Sequence, residues 1–222
     1  MKLKKLPLHV KVIFIVCIVA ILLAFIWEAI RGSEGFDEIR PSTLQSEVQY
    51  IIDRQDLIEQ DFLPINRFSR PGIELEVVNG IVIHNIGNPN TTAQQNRNFF
   101  ANLAETEERF ASSHFIICLD GTILQCVPVD EIAYASNLRN YDTISIEVCH
   151  PDETGRFTEE SYASLVLLTA WLSIKFDLTS NDVIRHADIR ATDCPRYFTA
   201  NEDAWERFRE DVDDTIAALL RQ

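Results

Sequence analysis

The first hydrophobic stretch of the chain is long and free of charge. Residues 12–27 carry no charged side chain, and Ala29 and Ile30 extend the apolar run toward the ~20 residues that a helix needs to cross a bilayer. Four lysines precede the run, which orients the N-terminus toward the cytoplasm. The pattern predicts a cytoplasmic segment at 1–11 and a single transmembrane anchor at 12–31, with the body of the chain outside the cell membrane.

A cleaved signal peptide is the alternative interpretation of the same stretch. Its apolar part would be about 7–15 residues long and would end at a cleavage site of small residues. The run in this chain is longer, and Trp27-Glu28-Ala29-Ile30-Arg31 lacks such a site. Both interpretations put the body of the protein on the far side of the membrane.

The pattern of hydrophobic residues changes after the apolar run. A polar linker at Gly32–Pro41 leads into Ser42–Asp61, where apolar residues recur at helical spacing and predict a short amphipathic helix. The residues Ser69-Arg70-Pro71-Gly72 then signal a turn. We therefore assign 32–69 to a linker with a short helix and expect the compact domain at 70–222.

Four segments of this domain have strand patterns. Ile81–His84 is a β-branched run that predicts a buried strand, and Thr143–Val148 alternates apolar and polar residues. The segments 114–119 and 122–127 flank Asp120-Gly121, which is a strong hairpin signal.

Three segments repeat apolar residues at steps of three and four, as helices do. The first begins at Thr91 or Thr92 and reaches about Leu103, and the others begin at Thr158 and Asn201. Strands interleaved with helices predict an α/β fold with a central mixed β-sheet flanked by helices.

Charge is distributed unevenly between the N-terminal segment and the rest of the chain. The whole sequence has 20 basic and 34 acidic residues, of which five and one lie before Gly32. The remainder therefore has 15 basic and 33 acidic residues, a net charge of −18. A body this acidic is repelled by phosphate backbones, which argues against nucleic acid as a partner.

The candidate chemistry lies in the histidines and one cysteine of the body. His84 ends a predicted strand, and His186 and Cys194 lie in a polar segment before Pro195 that we interpret as a loop, not a helix. Zinc hydrolases use three protein ligands and keep a fourth position for water. Spacing alone leaves two alternatives, a zinc trio or a structural cysteine with surface histidines, and the second is the more common case.

Several short sequence motifs follow one another over about residues 70–210. They are Gly80-Ile-Val-Ile-His84, Ser112-Ser-His-Phe115, Leu119-Asp-Gly-Thr122, Gln125-Cys-Val-Pro128, Ser145-Ile-Glu-Val-Cys-His150, Arg185-His-Ala-Asp188 and Cys194-Pro-Arg-Tyr-Phe198. Together they resemble the type-2 N-acetylmuramoyl-L-alanine amidase family, which includes phage endolysins and is related to peptidoglycan recognition proteins. The resemblance covers roughly two-thirds of the chain and is more specific than any single block.

The resemblance implies zinc held by His84, His186 and Cys194 beneath a substrate groove. The implied reaction is hydrolysis of the amide between N-acetylmuramic acid and L-alanine in peptidoglycan. Glu147 matches the family's catalytic glutamate, which takes a proton from zinc-activated water and passes it to the leaving amine. Outside that context, Glu147 would be interpreted as a buried salt-bridge partner or a strand-edge residue.

One position departs from the family pattern. Many relatives have a lysine two residues before the third ligand, where it helps to stabilise the oxyanion, and this chain has Thr192. Arg190 is a candidate to supply the charge, although a solvated loop charge is as plausible a role. The departure motivates an alternative function, a non-catalytic peptidoglycan-binding module with impaired chemistry. A metal-free interaction domain held at the membrane is a third hypothesis.

Four further polar residues have open roles. His114 is either a substrate contact or a hydrogen-bonded structural histidine, and His150, before a proline, suits a turn. Asp188 either orients His186 as a partner of its ring or fixes the loop through a turn. Asn85 is a polar loop residue and a candidate for substrate binding, as are Arg190 and Thr192.

Overall fold

The computed structural model describes residues 58–221. Its strands are β1 Ile58–Gln60, β2 Ile81–Asn85, β3 Phe115–Ile117, β4 Ile123–Gln125, β5 Ile144–Val148 and β6 Val183–Arg185. Its helices are α1 Ala93–Thr106, α2 Glu159–Phe176, α3 His186–Ile189, α4 Arg196–Ala200 and α5 Glu202–Leu219. Two 3-10 turns lie at Asn137–Arg139 and Ser180–Asp182.

The predicted cytoplasmic segment, the anchor at 12–31 and residues 32–57 of the predicted linker and amphipathic helix lie outside these residues. Within 58–221, none of the helices combines the length and the apolar character that crossing a bilayer requires.

The strands form one sheet in the order β1-β4-β3-β5-β2-β6. The neighbours β3-β5, β5-β2 and β2-β6 are parallel, as are β1 and β4, whereas the hairpin strands β3 and β4 are antiparallel. This confirms the predicted mixed sheet. The parallel strands β5, β2 and β6 end at the same edge, so the residues that follow them meet there.

The two faces of the sheet bury different helices. Because strand side chains alternate, Ile81 and Ile83 pack with α2 and α5 on one face, whereas Ile116 packs with Phe100 and Leu103 of α1 on the other. His84 has the opposite parity to its strand neighbours Ile81 and Ile83. Its side chain therefore lies on the face that carries α1.

The helix starts are where the capping signals predict them. The Thr92 hydroxyl accepts a hydrogen bond from the Gln95 backbone N–H at 3.2 Å, and the Gln95 side-chain oxygen accepts one from the Thr92 backbone N–H at 2.9 Å. Thr158 accepts from the Ser161 N–H at 3.1 Å and Asn201 precedes α5. These bonds satisfy N–H groups that the first turn of a helix leaves unpaired.

The hairpin turn packs against the start of α2. The Ser164 hydroxyl donates to the Gly121 carbonyl at 2.6 Å, and the Thr158 hydroxyl donates to the Leu119 carbonyl at 2.7 Å. Gly121 has φ +85°, and a Cβ there would lie 2.9 Å from the Glu160 carbonyl oxygen. The turn therefore requires glycine for its backbone conformation and for the close approach of the helix.

Two predictions upstream of β2 need correction. Ile58–Gln60 is a strand that pairs with β4, whereas the pattern over Ser42–Asp61 predicted a helix through these residues. The sheet consequently begins before residue 70, the predicted start of the domain. A strand of three residues is too short for its period to be seen beside a longer helical pattern.

Candidate metal centre and active site

Three residues that are distant in sequence converge at the edge where β2 and β6 end. His84 lies near the end of β2, His186 directly follows β6, and Cys194 comes from the segment after α3. One ligand atom from each lies within 4.8 Å of the others. The parallel pairing of β2 with β6 brings the histidines together, since Ile83 lies opposite Arg185.

The donor set and its spacing fit zinc. His84 Nδ1 lies 3.7 Å from Cys194 Sγ. Zinc bonds of about 2.0–2.1 Å to nitrogen and about 2.3 Å to sulfur, at a tetrahedral angle, put such atoms about 3.6 Å apart. Three protein donors leave a fourth tetrahedral position, as catalytic zinc sites require.

The electrostatics of the trio favour uncharged imidazoles. Burial, and the neighbouring His186, hold the pKa of His84 well below its usual range, and burial together with the charge of Arg190 lowers the pKa of His186. Burial raises the pKa of the Cys194 thiol to about 12, and the negative charge of Glu147 acts in the same direction. The cysteine must therefore release a proton when a cation binds.

Glu147 lies beside the trio. It is directly opposite His84 in the β2–β5 register and on the same face. Its Oε2 atom is buried and has no hydrogen-bond partner among residues 58–221. Burial raises the pKa of Glu147 to about 7, which suits a group that accepts and releases a proton near neutral pH.

The segment that carries the second and third ligands differs from the predicted loop. His186 begins α3, a single helical turn. The Asp188 carboxylate accepts from the Arg185 backbone N–H at 2.8 Å and from the Arg185 guanidinium at 3.0 Å. Of the two roles considered for Asp188, these bonds support fixing the chain, and four helical residues are too few to produce a recognisable period.

Both remaining histidines of the domain are bonded to the backbone. His114 Nδ1 accepts from the Ser145 N–H at 2.9 Å, and its Nε2 lies 2.9 Å from the Glu131 carbonyl oxygen. The ring is 1% exposed. With both nitrogens occupied, the geometry favours the structural role of His114 over substrate contact. His150 likewise has carbonyl oxygens at 2.7 Å from both nitrogens, as a turn residue would.

The other candidate substrate-binding residues differ in their exposure and in their hydrogen bonds. Asn85 Oδ1 accepts from the Arg196 N–H at 2.7 Å and its amide donates to the Ile86 carbonyl at 2.9 Å, so the side chain holds two backbone segments. Arg190 is exposed and near enough to His186 to lower its pKa. Thr192 is half-buried between the second and third ligands.

Two residues that contact the candidate histidine ligands were not predicted from the sequence. Ser136 Oγ lies 3.3 Å from His84 Nε2, and Asn137 Oδ1 lies 2.8 Å from His186 Nε2. Both belong to a polar turn 49 or more residues away from their partners in sequence. No motif links a serine and an asparagine to histidines at such distances.

Residues 74–197 match the family model Amidase_2, described as N-acetylmuramoyl-L-alanine amidase. The match spans more than half of the 222 residues and includes all three candidate ligands and Glu147.

Two curated proteins of Bacillus licheniformis are similar to the chain. One is a probable N-acetylmuramoyl-L-alanine amidase, 27% identical over 169 residues, and the other is the N-acetylmuramoyl-L-alanine amidase CwlL, 26% identical over 171 residues. The alignments cover 70% and 72% of this chain but 47% of each relative. The chain thus spans about half the length of the curated relatives it matches.

Solved structures share the fold. The catalytic domain of XlyA matches with a TM-score of 0.59 at 24% identity, covering 70% of this chain and 98% of that one. PlyL matches with a TM-score of 0.61 at 20% identity, covering 71% and 98%.

Proposed function

Because the chain belongs to the Amidase_2 family of N-acetylmuramoyl-L-alanine amidases, we propose that it hydrolyses the amide between N-acetylmuramic acid and L-alanine in peptidoglycan, with zinc. One observation carries the proposal: His84, His186 and Cys194 converge within 4.8 Å directly beside Glu147.

The three converging residues would hold the ion. Bound zinc supplies two kinds of chemistry, acidification of water and polarisation of a carbonyl oxygen. Two imidazoles with lowered pKa values have nitrogen lone pairs available at neutral pH. The Cys194 thiol, with its pKa raised to about 12, gives up a proton on binding, so binding weakens as the pH falls.

Glu147 is the group that moves the proton. Its carboxylate accepts a proton from the attacking water and delivers it to the nitrogen of the departing L-alanine. A pKa of about 7 allows both transfers near neutral pH, and a nearby positive charge shifts the group toward the ionised form that accepts the proton. The unpartnered Oε2 leaves an acceptor free for this role.

Arg190 is our candidate for the positive charge that Thr192 lacks. Its guanidinium is close enough to the centre to affect the pKa of His186. Loss of one donor to a developing oxyanion typically costs about 100- to 1000-fold in rate. If Arg190 does not act in this way, the chain retains zinc and peptidoglycan binding with little turnover.

The test is digestion of purified peptidoglycan by the zinc-loaded protein. Cleavage of the proposed bond frees the amino group of L-alanine, so new alanine N-termini are measured. We expect Glu147→Gln to lower their release by at least about 100-fold, because the proton carrier is lost. Bound zinc, measured by metal analysis, should stay stoichiometric.

Glu210→Gln is the matched control, since it makes the same chemical change at an exposed position of α5 and should leave activity unaltered. Absence of new amino termini from a folded, zinc-loaded wild-type chain would rule out the amidase. Binding to peptidoglycan in that case would identify the non-catalytic module instead.

We further propose that this domain acts outside the cell membrane, attached by a single N-terminal helix at residues 12–31. The four lysines before this apolar run support that orientation. Peptidoglycan is then the partner on the same side as the domain. Mass spectrometry of the mature protein tests the anchor, because an N-terminus near residue 30 would mean cleavage.

A further inference from the structure

The turn that follows Ala135 contacts both candidate histidine ligands. Ser136 and Asn137 are neighbours in sequence, and each directs a side-chain oxygen at the Nε2 atom of a different imidazole, at 3.3 Å on His84 and 2.8 Å on His186. The two rings lie against each other with centroids 4.6 Å apart. One short turn therefore contacts the Nε2 atom of both rings.

The Asn137 contact determines which nitrogen of His186 carries hydrogen. An amide oxygen only accepts hydrogen bonds, so Nε2 of His186 is the protonated nitrogen and the lone pair is on Nδ1. This is the form in which Nδ1 is available to a cation. His84 is arranged in the same sense, because its Nδ1 is the atom that faces Cys194 Sγ.

His186 depends on this bond more than His84 does. His84 is 2% exposed and held by the surrounding core, whereas His186 is half-buried on a helix of four residues. Packing restricts a half-buried ring less than a fully buried one. The 2.8 Å bond to Asn137 supplies a further constraint.

The turn is anchored independently of the imidazoles. Asn140 Oδ1 accepts from the Ala135 and Ser136 N–H groups at 3.1 and 2.6 Å, and the Thr143 hydroxyl donates to the Arg139 carbonyl at 2.6 Å. Asn137 has φ 55°, a conformation that asparagine tolerates better than most residues. The amide is thus presented to His186 from a preformed turn.

We propose that Asn137 is a positioning residue that holds His186 in the Nε2–H tautomer and in the orientation needed for metal binding. This inference rests on the proposed zinc site. Partners of this kind typically change metal affinity by about 10- to 100-fold when removed. Asn137 acts through His186 and needs no contact with peptidoglycan.

The test compares three variants of the full chain in detergent. Asn137→Gly removes the acceptor but suits the positive φ, Asn137→Asp retains an oxygen acceptor, and Leu138→Ala changes a 90% exposed side chain in the same turn. Competition with a chelator gives the zinc dissociation constant. We expect a loss of about 10- to 100-fold for Asn137→Gly, rescue to near the wild-type value by Asn137→Asp, and no change for Leu138→Ala.

A second measurement does not depend on zinc. Nitrogen-15 spectra of the metal-free protein report the tautomer of His186, which should be Nε2–H in the wild type and mixed in Asn137→Gly. Wild-type affinity and an unmixed tautomer in Asn137→Gly would overturn the inference, as would equal losses in the glycine and aspartate variants. A wild-type chain that binds no zinc would instead contradict the proposed function, and the tautomer comparison would still test Asn137.

Discussion

At the scale of single residues, His114 illustrates how burial fixes a protonation state. Its ring is 1% exposed, one nitrogen accepts from the Ser145 N–H, and the other faces the Glu131 carbonyl. A neutral ring with hydrogen on Nε2 satisfies both bonds, whereas a second proton on Nδ1 would oppose the Ser145 N–H. Burial accordingly lowers the pKa of His114 from 6.5 to about 4, against the opposing effect of its bond to Glu131.

This predicts a loss of stability in acid. Between pH 6.5 and about pH 4 the unfolded chain binds a proton at His114 that the folded chain does not, so acid favours unfolding. The cost is absent above that range and approaches roughly 3 kcal/mol below it. Urea unfolding at several pH values measures it, and His114→Gln should have a shallower pH dependence than the wild type. Equal pH dependences would show that His114 is not responsible.

The chemical role of a residue could be predicted from the sequence only where the residue belongs to a recognisable motif. The blocks around His84, Glu147, His186 and Cys194 identified candidates that the fold brings together. The hydrogen bonds of the two His114 nitrogens could not be predicted, because their partners are carbonyl and amide groups from other segments. Asn137 was missed for the same reason, since its partner lies 49 residues away.

At the scale of secondary structure, the sequence predicted the starts of the long helices correctly but missed the shortest strand and helix. The caps at Thr92 and Thr158 are contacts within four residues, so the sequence contains all the information they need. Strand β1 and helix α3 have three and four residues, and neither completes enough of its period to be recognised. Their formation depends on pairing with β4 and on the Asp188 cap.

The hairpin turn provides a prediction at this scale. Gly121→Ala forces a residue with a Cβ to adopt φ +85° and to approach the Glu160 carbonyl at 2.9 Å. We expect it to lower the free energy of unfolding by about 2–4 kcal/mol, measured by urea denaturation. Gly87→Ala is the control, because nothing lies within 4 Å of a Cβ there. Similar losses in both variants would refute this account of the turn.

At the scale of the whole domain, the two faces of the sheet differ in the helices that cover them and in the polar residues that they carry. Helices α2 and α5 cover one face with the larger cluster of buried apolar residues. The other face carries α1 and, where β2 and β5 lie side by side, His84 and Glu147. The mixed sheet was predictable from interleaved strands and helices. The strand order was not, because it depends on pairings between segments far apart in the chain.

Because the candidate ligands come from separate parts of the fold, zinc should stabilise the domain as a whole. A ligand that binds only the native state adds about 2.7 kcal/mol at 100 times its dissociation constant. For a chain of this size that corresponds to roughly 5–10 °C in Tm. We expect a chelator to lower the Tm of the wild type by this amount, measured by circular dichroism. His186→Ala should show no such shift, and an unchanged wild-type Tm would argue against a zinc-bound native state.

The distance of 110 residues between His84 and Cys194 has a consequence for biogenesis. In the proposed topology the N-terminus stays in the cytoplasm and the part of the chain nearest the anchor crosses first, so His84 is exported long before Cys194. Until both have emerged and the parallel strands have paired, the chain offers only isolated side chains to a metal. Under the proposed topology, zinc must therefore be taken up from the supply outside the cell, after export is nearly complete, and not carried across with the chain.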